Sequence, residues 1–158
     1  LMANLAAEET KIERTPIAPS QTWSTVVEYP AEGIFALIRP LTFKWMNDIK
    51  SAAEDTSTGI ISLAYADNTV QSIQLVGFNS INMQVQYELV SSDPPSYCAS
   101  QVHTITCYRV SDTNHCFVSW TTDFSSDVTP EVIADCEWKK RDSFEQLKTS
   151  SLLVKRKQ

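Results

Sequence analysis

The most constraining stretch is the last periodic one, from about Thr129 to about Ser150. Thr129 suits an N-cap, Pro130 the first helical position, and Glu131 the positive end of the helix dipole. Ile133, Cys136, Lys140, Phe144 and Leu147 recur at three-four spacing, so they share one helical face. Lys140 is the one charged residue in that stripe. A single long helix placed after a run of strands must bury its stripe against the sheet those strands form.

The upstream chain supplies the strands. Thr22 to Tyr29 reads as a first strand, and Pro30 opens a short helix carrying Ile34, Phe35, Leu37 and Ile38 until Pro40 ends it. A second short helix is expected over about Leu41 to Asp48, anchored by Phe43, Trp45 and Met46. Strands follow over Ile60 to Ala66 and Thr69 to Gly77, turning at Asp67-Asn68. Met83, Val85, Tyr87 and Leu89 then alternate with Gln84, Gln86 and Glu88, the clearest period of two in the chain. Val102 to Val110 and His115 to Phe124 form a hairpin around Ser111-Asp112-Thr113-Asn114. The expected class is α+β with an antiparallel sheet.

At 158 residues the chain is long enough for one domain with a real core. The expected division is an extended arm over residues 1–21, a folded body over 22–151 and a basic tail over 152–158. The longest clean apolar run, Ile34 to Ile38, is far too short for a membrane helix. Net charge is -6, with six basic and seventeen acidic side chains up to Trp138 and seven basic and two acidic from Lys139 onward. An acidic body argues against nucleic acid, which needs a cationic surface. The arm and the basic end are candidate contacts for a protein partner.

Cys98, Cys107, Cys116 and Cys136 show no zinc spacing, and they are expected as free thiols. Cys107 and Cys116 flank the hairpin and can approach across it only in one register. No metal or cofactor is expected, and three glycines leave no phosphate-cradling loop. His103 and His115 are expected on strand surfaces, since no nucleophile-elbow motif accompanies them. An intracellular location is expected; a start at Leu1 leaves room for a removed targeting peptide, hence an organelle as well as the cytoplasm.

The order of elements and four local motifs resemble the START-like (SRPBCC, helix-grip) superfamily of polyketide cyclases, birch-pollen-allergen-type proteins and abscisic-acid receptors. Tyr29 to Ile38 is similar to that superfamily's first strand-to-helix junction, and Phe43-Lys44-Trp45 with Ile49 to its tryptophan segment. Phe117 to Phe124 resembles its last strand, and Ser143 to Lys148 the end of its last helix. The resemblance implies a curved seven-stranded antiparallel sheet gripping the long helix, two short helices after the first strand, and an apolar cavity between sheet and helix. The receptors' proline-containing gate and His-Arg-Leu latch are absent; Phe78-Asn79-Ser80-Ile81 stands in the latter region.

The implied cavity gives a site. Lys50 lies where the receptors carry a lysine that pairs with a ligand carboxylate. Leu63, Tyr65, Val85, Tyr87, Ile133, Lys140 and Phe144 are expected in the wall. On the last strand, periodicity alone buries Cys116, Val118, Trp120 and Phe124, whereas the resemblance turns Phe117, Ser119 and Thr121 toward the cavity. Glu137 and Lys140, three apart, are expected to pair. The expected role is binding or transport of a small apolar or amphipathic molecule. A scaffold-like accessory subunit and a cyclase-like enzyme are the alternatives, and no catalytic residue stands out.

Overall fold

The computed structural model describes residues 19–153. β1 (Ser20–Val27) leads into a short helix, α1 (Ala31–Ile38). Six strands follow: β2 (Ile49–Asp55), β3 (Ile60–Tyr65), β4 (Val70–Asn79), β5 (Gln84–Asp93), β6 (Gln101–Val110) and β7 (His115–Phe124). The long helix α2 (Pro130–Lys148) comes after them. The expected arm lies outside the described residues up to position 18, but Ser20 and Gln21 already belong to β1. The tail from residue 154 is likewise outside them, while Leu153 is buried in the core.

All seven strands join one antiparallel sheet in the order β1-β7-β6-β5-β4-β3-β2. β2 to β7 are consecutive hairpins, and β1 adds beside β7. The turns use residues that tolerate positive φ, Asn68 at 71° and Asn114 at 56°. Register shifts near Lys50, between Ser72 and Ile73, and between Leu75 and Gly77 mark bulges, which bend the strands and help curve the sheet.

α2 forms for the reasons its sequence offers. The Thr129 hydroxyl accepts from Val132 N at 3.4 Å, Pro130 opens the helix, Glu131 sits in its first turn and Lys148 in its last. Lys140, Ser143, Phe144 and Leu147 are its buried residues, and Phe144 meets Trp120 at 5.8 Å between rings. α1 buries Ala31, Ile34, Phe35 and Ile38 beneath β6 and β7. Its Gly33 lies against the Tyr29 ring, in space that a Cβ would fill.

The second short helix is corrected. Residues 41–48 form turns, because Leu41 (φ 56°) and Phe43 (φ 52°) adopt the left-handed conformation, which no α-helix continues through. Those φ values turn Leu41, Phe43 and Trp45 into the core, where all three are buried. Burying three large apolar side chains outweighs the local backbone cost. Gln146 of α2 ties this loop down by accepting from Asn47 N at 2.6 Å.

Candidate functional site

Strand register assembles the site. Gln21 pairs with Thr122, Thr122 with His103, His103 with Tyr87, and Tyr87 with Leu75. Directly opposed residues share a face, so these five form one row across β1, β7, β6, β5 and β4 on the face that α2 covers. Four of the five carry polar groups, on a face whose neighbouring row, Trp120, Ile105 and Val85, is buried and almost wholly apolar. α2 lowers two more polar groups onto the row, Cys136 and Lys140.

The hydrogen bonds have one consistent direction. Trp120 Nε1 can only donate, so His103 Nδ1 accepts from it at 3.2 Å. The Thr122 hydroxyl donates to the same nitrogen at 2.8 Å, leaving its oxygen to accept from Cys136 Sγ at 3.6 Å. His103 is thus a neutral imidazole protonated on Nε2. Burial, reinforced by the Lys140 charge, depresses its pKa to about 3. Its ring stacks on Tyr87, with centroids 4.8 Å apart. Burial also holds the Tyr87 phenol well above its usual range and raises Tyr65 to about 12. Tyr65 Oη donates to Gln71 Oε1 at 3.1 Å.

Among the described residues Lys140 is the one charged side chain that is fully buried, with only 1% of it exposed. Its Nζ donates to the carbonyls of Gln21 at 2.9 Å and Trp120 at 3.2 Å, and lies 5.9 Å over the Trp120 ring. Burial lowers its pKa to about 8, against the opposing influence of Cys136 and Asp123. One buried polar atom near it has no partner: Gln21 Oε1, on a side chain 8% exposed.

The helix does not seal this face evenly. Phe144 and Leu147 are buried, but Ile133, Cys136 and Glu137, earlier on α2, are half-buried. On the sheet, Tyr65 and Leu89 are half-buried, and Leu75, at the end of the polar row, is 48% exposed. The clasp is tight toward the C-terminus of α2 and loose toward its N-terminus. A separate groove of about 430 Å³ lies at the α1 end of the sheet, lined by Glu32, Phe35, Arg39, Ser80, Ile81, Met83 and Arg109. The buried Val85 and Ile105 separate it from the polar row.

Of the expected wall, Leu63, Val85, Tyr87, Lys140 and Phe144 are buried, and Tyr65 and Ile133 half-buried. Four expectations are corrected. Lys50 is exposed, standing at the bulge where the β2–β3 register jumps from Ile49 to Ser51. Phe117, Ser119 and Thr121 point away from α2: Phe117 packs on Tyr108 at 5.8 Å, and Thr121 Oγ1 shares a hydrogen bond with Thr22 at 2.8 Å. The alternate face, with Cys116, Val118, Trp120 and Phe124, is the buried one because it removes more apolar surface from water. Lys140 turns inward to carbonyls rather than to Glu137. His103, expected at a surface, is an inner residue; its parity with Ile105 and Cys107 was the signal.

Cys107 stands opposite Val118 and Cys116 opposite Arg109, and all four cysteines are free. Among the described residues, no group of three His, Cys, Asp or Glu side chains is placed to share a metal ion. No described helix is long and apolar enough to cross a membrane.

The architecture is shared with known structures. Protein XoxI from Bacillus cereus superposes with a TM-score of 0.77 at 19% identity, over 90% of this chain and 99% of that one. Major latex-like protein 151 from Panax ginseng gives 0.66 at 14%, over 84% and 96%. A START superfamily protein from Mycobacterium smegmatis gives 0.65 at 12%, over 82% and 94%. The fold is START-like. At these identities the likeness of a helix-grip chain to its neighbours is one of fold. No protein-family model matches the sequence, and no curated protein matches it. In this helix-grip body the lid is α2, the grip is the seven-stranded sheet, and the polar row lies between them.

Proposed function

We propose that the protein binds a small apolar or amphipathic molecule between the sheet and α2, over the polar row. The observation that carries this reading is the uneven lid. Leu75, Tyr65 and Leu89 form an inward-facing apolar wall that the N-terminal half of α2 leaves partly uncovered. Uncovered apolar wall is where a ligand recovers the hydrophobic free energy that the fold leaves unused, about 0.8 kcal/mol per buried methylene. Leu63, Val85, Tyr87, Ile133, Lys140 and Phe144 complete the proposed wall. The START-like fold supports the reading, with the ginseng latex-like protein and the START superfamily protein among its neighbours.

The test is binding of Nile red, a neutral apolar dye that brightens in apolar surroundings. The expected result is saturable enhancement at micromolar protein, reversed by a long-chain alcohol. No enhancement, together with native mass spectra showing bare protein at every preparation, would overturn the reading.

A further inference from the structure

We infer that the free edge of β1 is a docking site for an extended, acidic segment of a partner protein, which adds to the sheet as a further strand and sets a carboxylate beside Arg141. The sheet has two edges, β1 and β2. Edges present unpaired N–H and C=O groups, and folded proteins blunt them with charges, bulges or proline. β2 is blunted: its register jumps at Lys50, and Lys50, Glu54 and Asp55 stand exposed along it. β1 is not. Over Ser20–Val27 it pairs with β7 residue for residue, without a bulge, a charged side chain or a proline.

The direction of the unused groups follows from one bond. Phe124 N donates to Pro19 O at 2.9 Å, which fixes the alternation along β1. Gln21, Trp23, Thr25 and Val27 exchange bonds with β7, so the N–H and C=O of Ser20, Thr22, Ser24 and Val26 point away from it. Those four residues are exposed, and no main-chain partner meets them among the described residues.

The surroundings of this edge determine what fits it. α2 approaches β1 more closely than it does any other strand. On the flank it turns to β1, Arg141 lies 5.1 Å over the Trp23 ring, exposed and without an ion pair among the described residues. Trp138, three residues earlier and adjacent on the helix surface, is 59% exposed. On the sheet's outer face an apolar row, Tyr108, Phe117 and Val26, runs exposed to the same edge. Tryptophan and arginine are the side chains that most often carry binding energy at protein interfaces. A second copy of this chain does not fit. Paired through β1, it would bring its own α2 to about 5 Å from this one, a single strand spacing, where packed helices need about 8–10 Å. An extended segment brings no helix. Its alternate side chains would meet Val26 on the outer face, which favours an apolar residue, and Arg141 on the inner face, which favours aspartate or glutamate. This docking is independent of what the clasp holds.

The experiment follows amide hydrogen exchange in the isotope-labelled whole chain, alone and with short capped peptides of alternating threonine and valine that carry glutamate, glutamine or lysine at the centre. In the free protein the amides of Thr22, Ser24 and Val26 exchange fast, while those of Trp23 and Thr25 are protected. The glutamate peptide slows the first three at least about tenfold. It binds about threefold tighter than the glutamine peptide, and the lysine peptide is weakest; Arg141→Gln removes that ranking. Ser24→Pro deletes an N–H that β7 does not use, so it keeps a cooperative melt and abolishes binding. Slow exchange at Thr22 and Ser24 in the free chain overturns the inference, since the edge is then already covered by the chain's own residues or by a second copy; that observation needs no variant. Binding of the glutamate peptide that leaves these amides fast, or that survives Ser24→Pro in a protein with a cooperative melt, also overturns it. So does failure of all the peptides to bind at millimolar concentration.

Discussion

Lys140 and Trp120 meet in two ways: the ammonium donates to the Trp120 carbonyl at 3.2 Å, and it lies 5.9 Å over the Trp120 ring. A charged side chain from the closing helix is thus fixed to the backbone and to the aromatic centre of the last strand. Trp120 in turn donates to His103, so helix, β7 and β6 are joined through one indole.

That junction makes the fold acid-sensitive through His103. Its folded pKa, about 3, lies below the unfolded 6.5, so the unfolded chain binds the extra proton as pH falls. The stability held above pH 6.5 is lost downward at up to about 1.4 kcal/mol per pH unit. Urea unfolding between pH 6.5 and 5, before the carboxylates titrate, should show this slope, and His103→Gln should flatten it. A wild-type stability constant across that window contradicts the neutral, network-held imidazole.

The uneven lid predicts unequal truncation costs along one helical face. Phe144→Ala removes a buried ring packed on Trp120 and should cost about 3–5 kcal/mol. Ile133→Ala, at the loose end, should cost about 1 kcal/mol. Denaturant midpoints at equal m-values decide; similar losses at both positions would mean α2 is seated evenly.

The cap of α2 offers a local check. Thr129→Ala removes the acceptor for Val132 N and should cost about 1 kcal/mol, with Thr129→Asp retaining most of it. Thermal unfolding of the two variants separates capping from mere change of side chain.

Much of the architecture was legible because α2 carries its own punctuation, Thr129, Pro130 and Glu131, and because Val85, Tyr87 and Leu89 alternate cleanly. The loop after α1 was not, since Leu41, Phe43 and Trp45 have helical composition and only tertiary burial drives two of them to positive φ. Lys140 was visible as the odd residue in an apolar stripe, but its inward turn needs the carbonyls of Gln21 and Trp120, which come from strands about 20 to 119 residues away. For β7, period-two patterning placed Phe117, Ser119 and Thr121 outside, and the resemblance misdirected them inward. The row from Gln21 to Leu75 depends on four strand registers at once, and registers are set by bulges and turns that no single strand's pattern displays.

The most direct measurement of the central claim is the set of nuclear Overhauser contacts between an unlabelled twelve-carbon chain and the isotope-labelled protein. Contacts from the chain to Tyr87, Leu75 and Ile133 are the predicted result. Contacts confined to Tyr108 and Phe117, on the opposite face of the sheet, would contradict a ligand held between the sheet and α2.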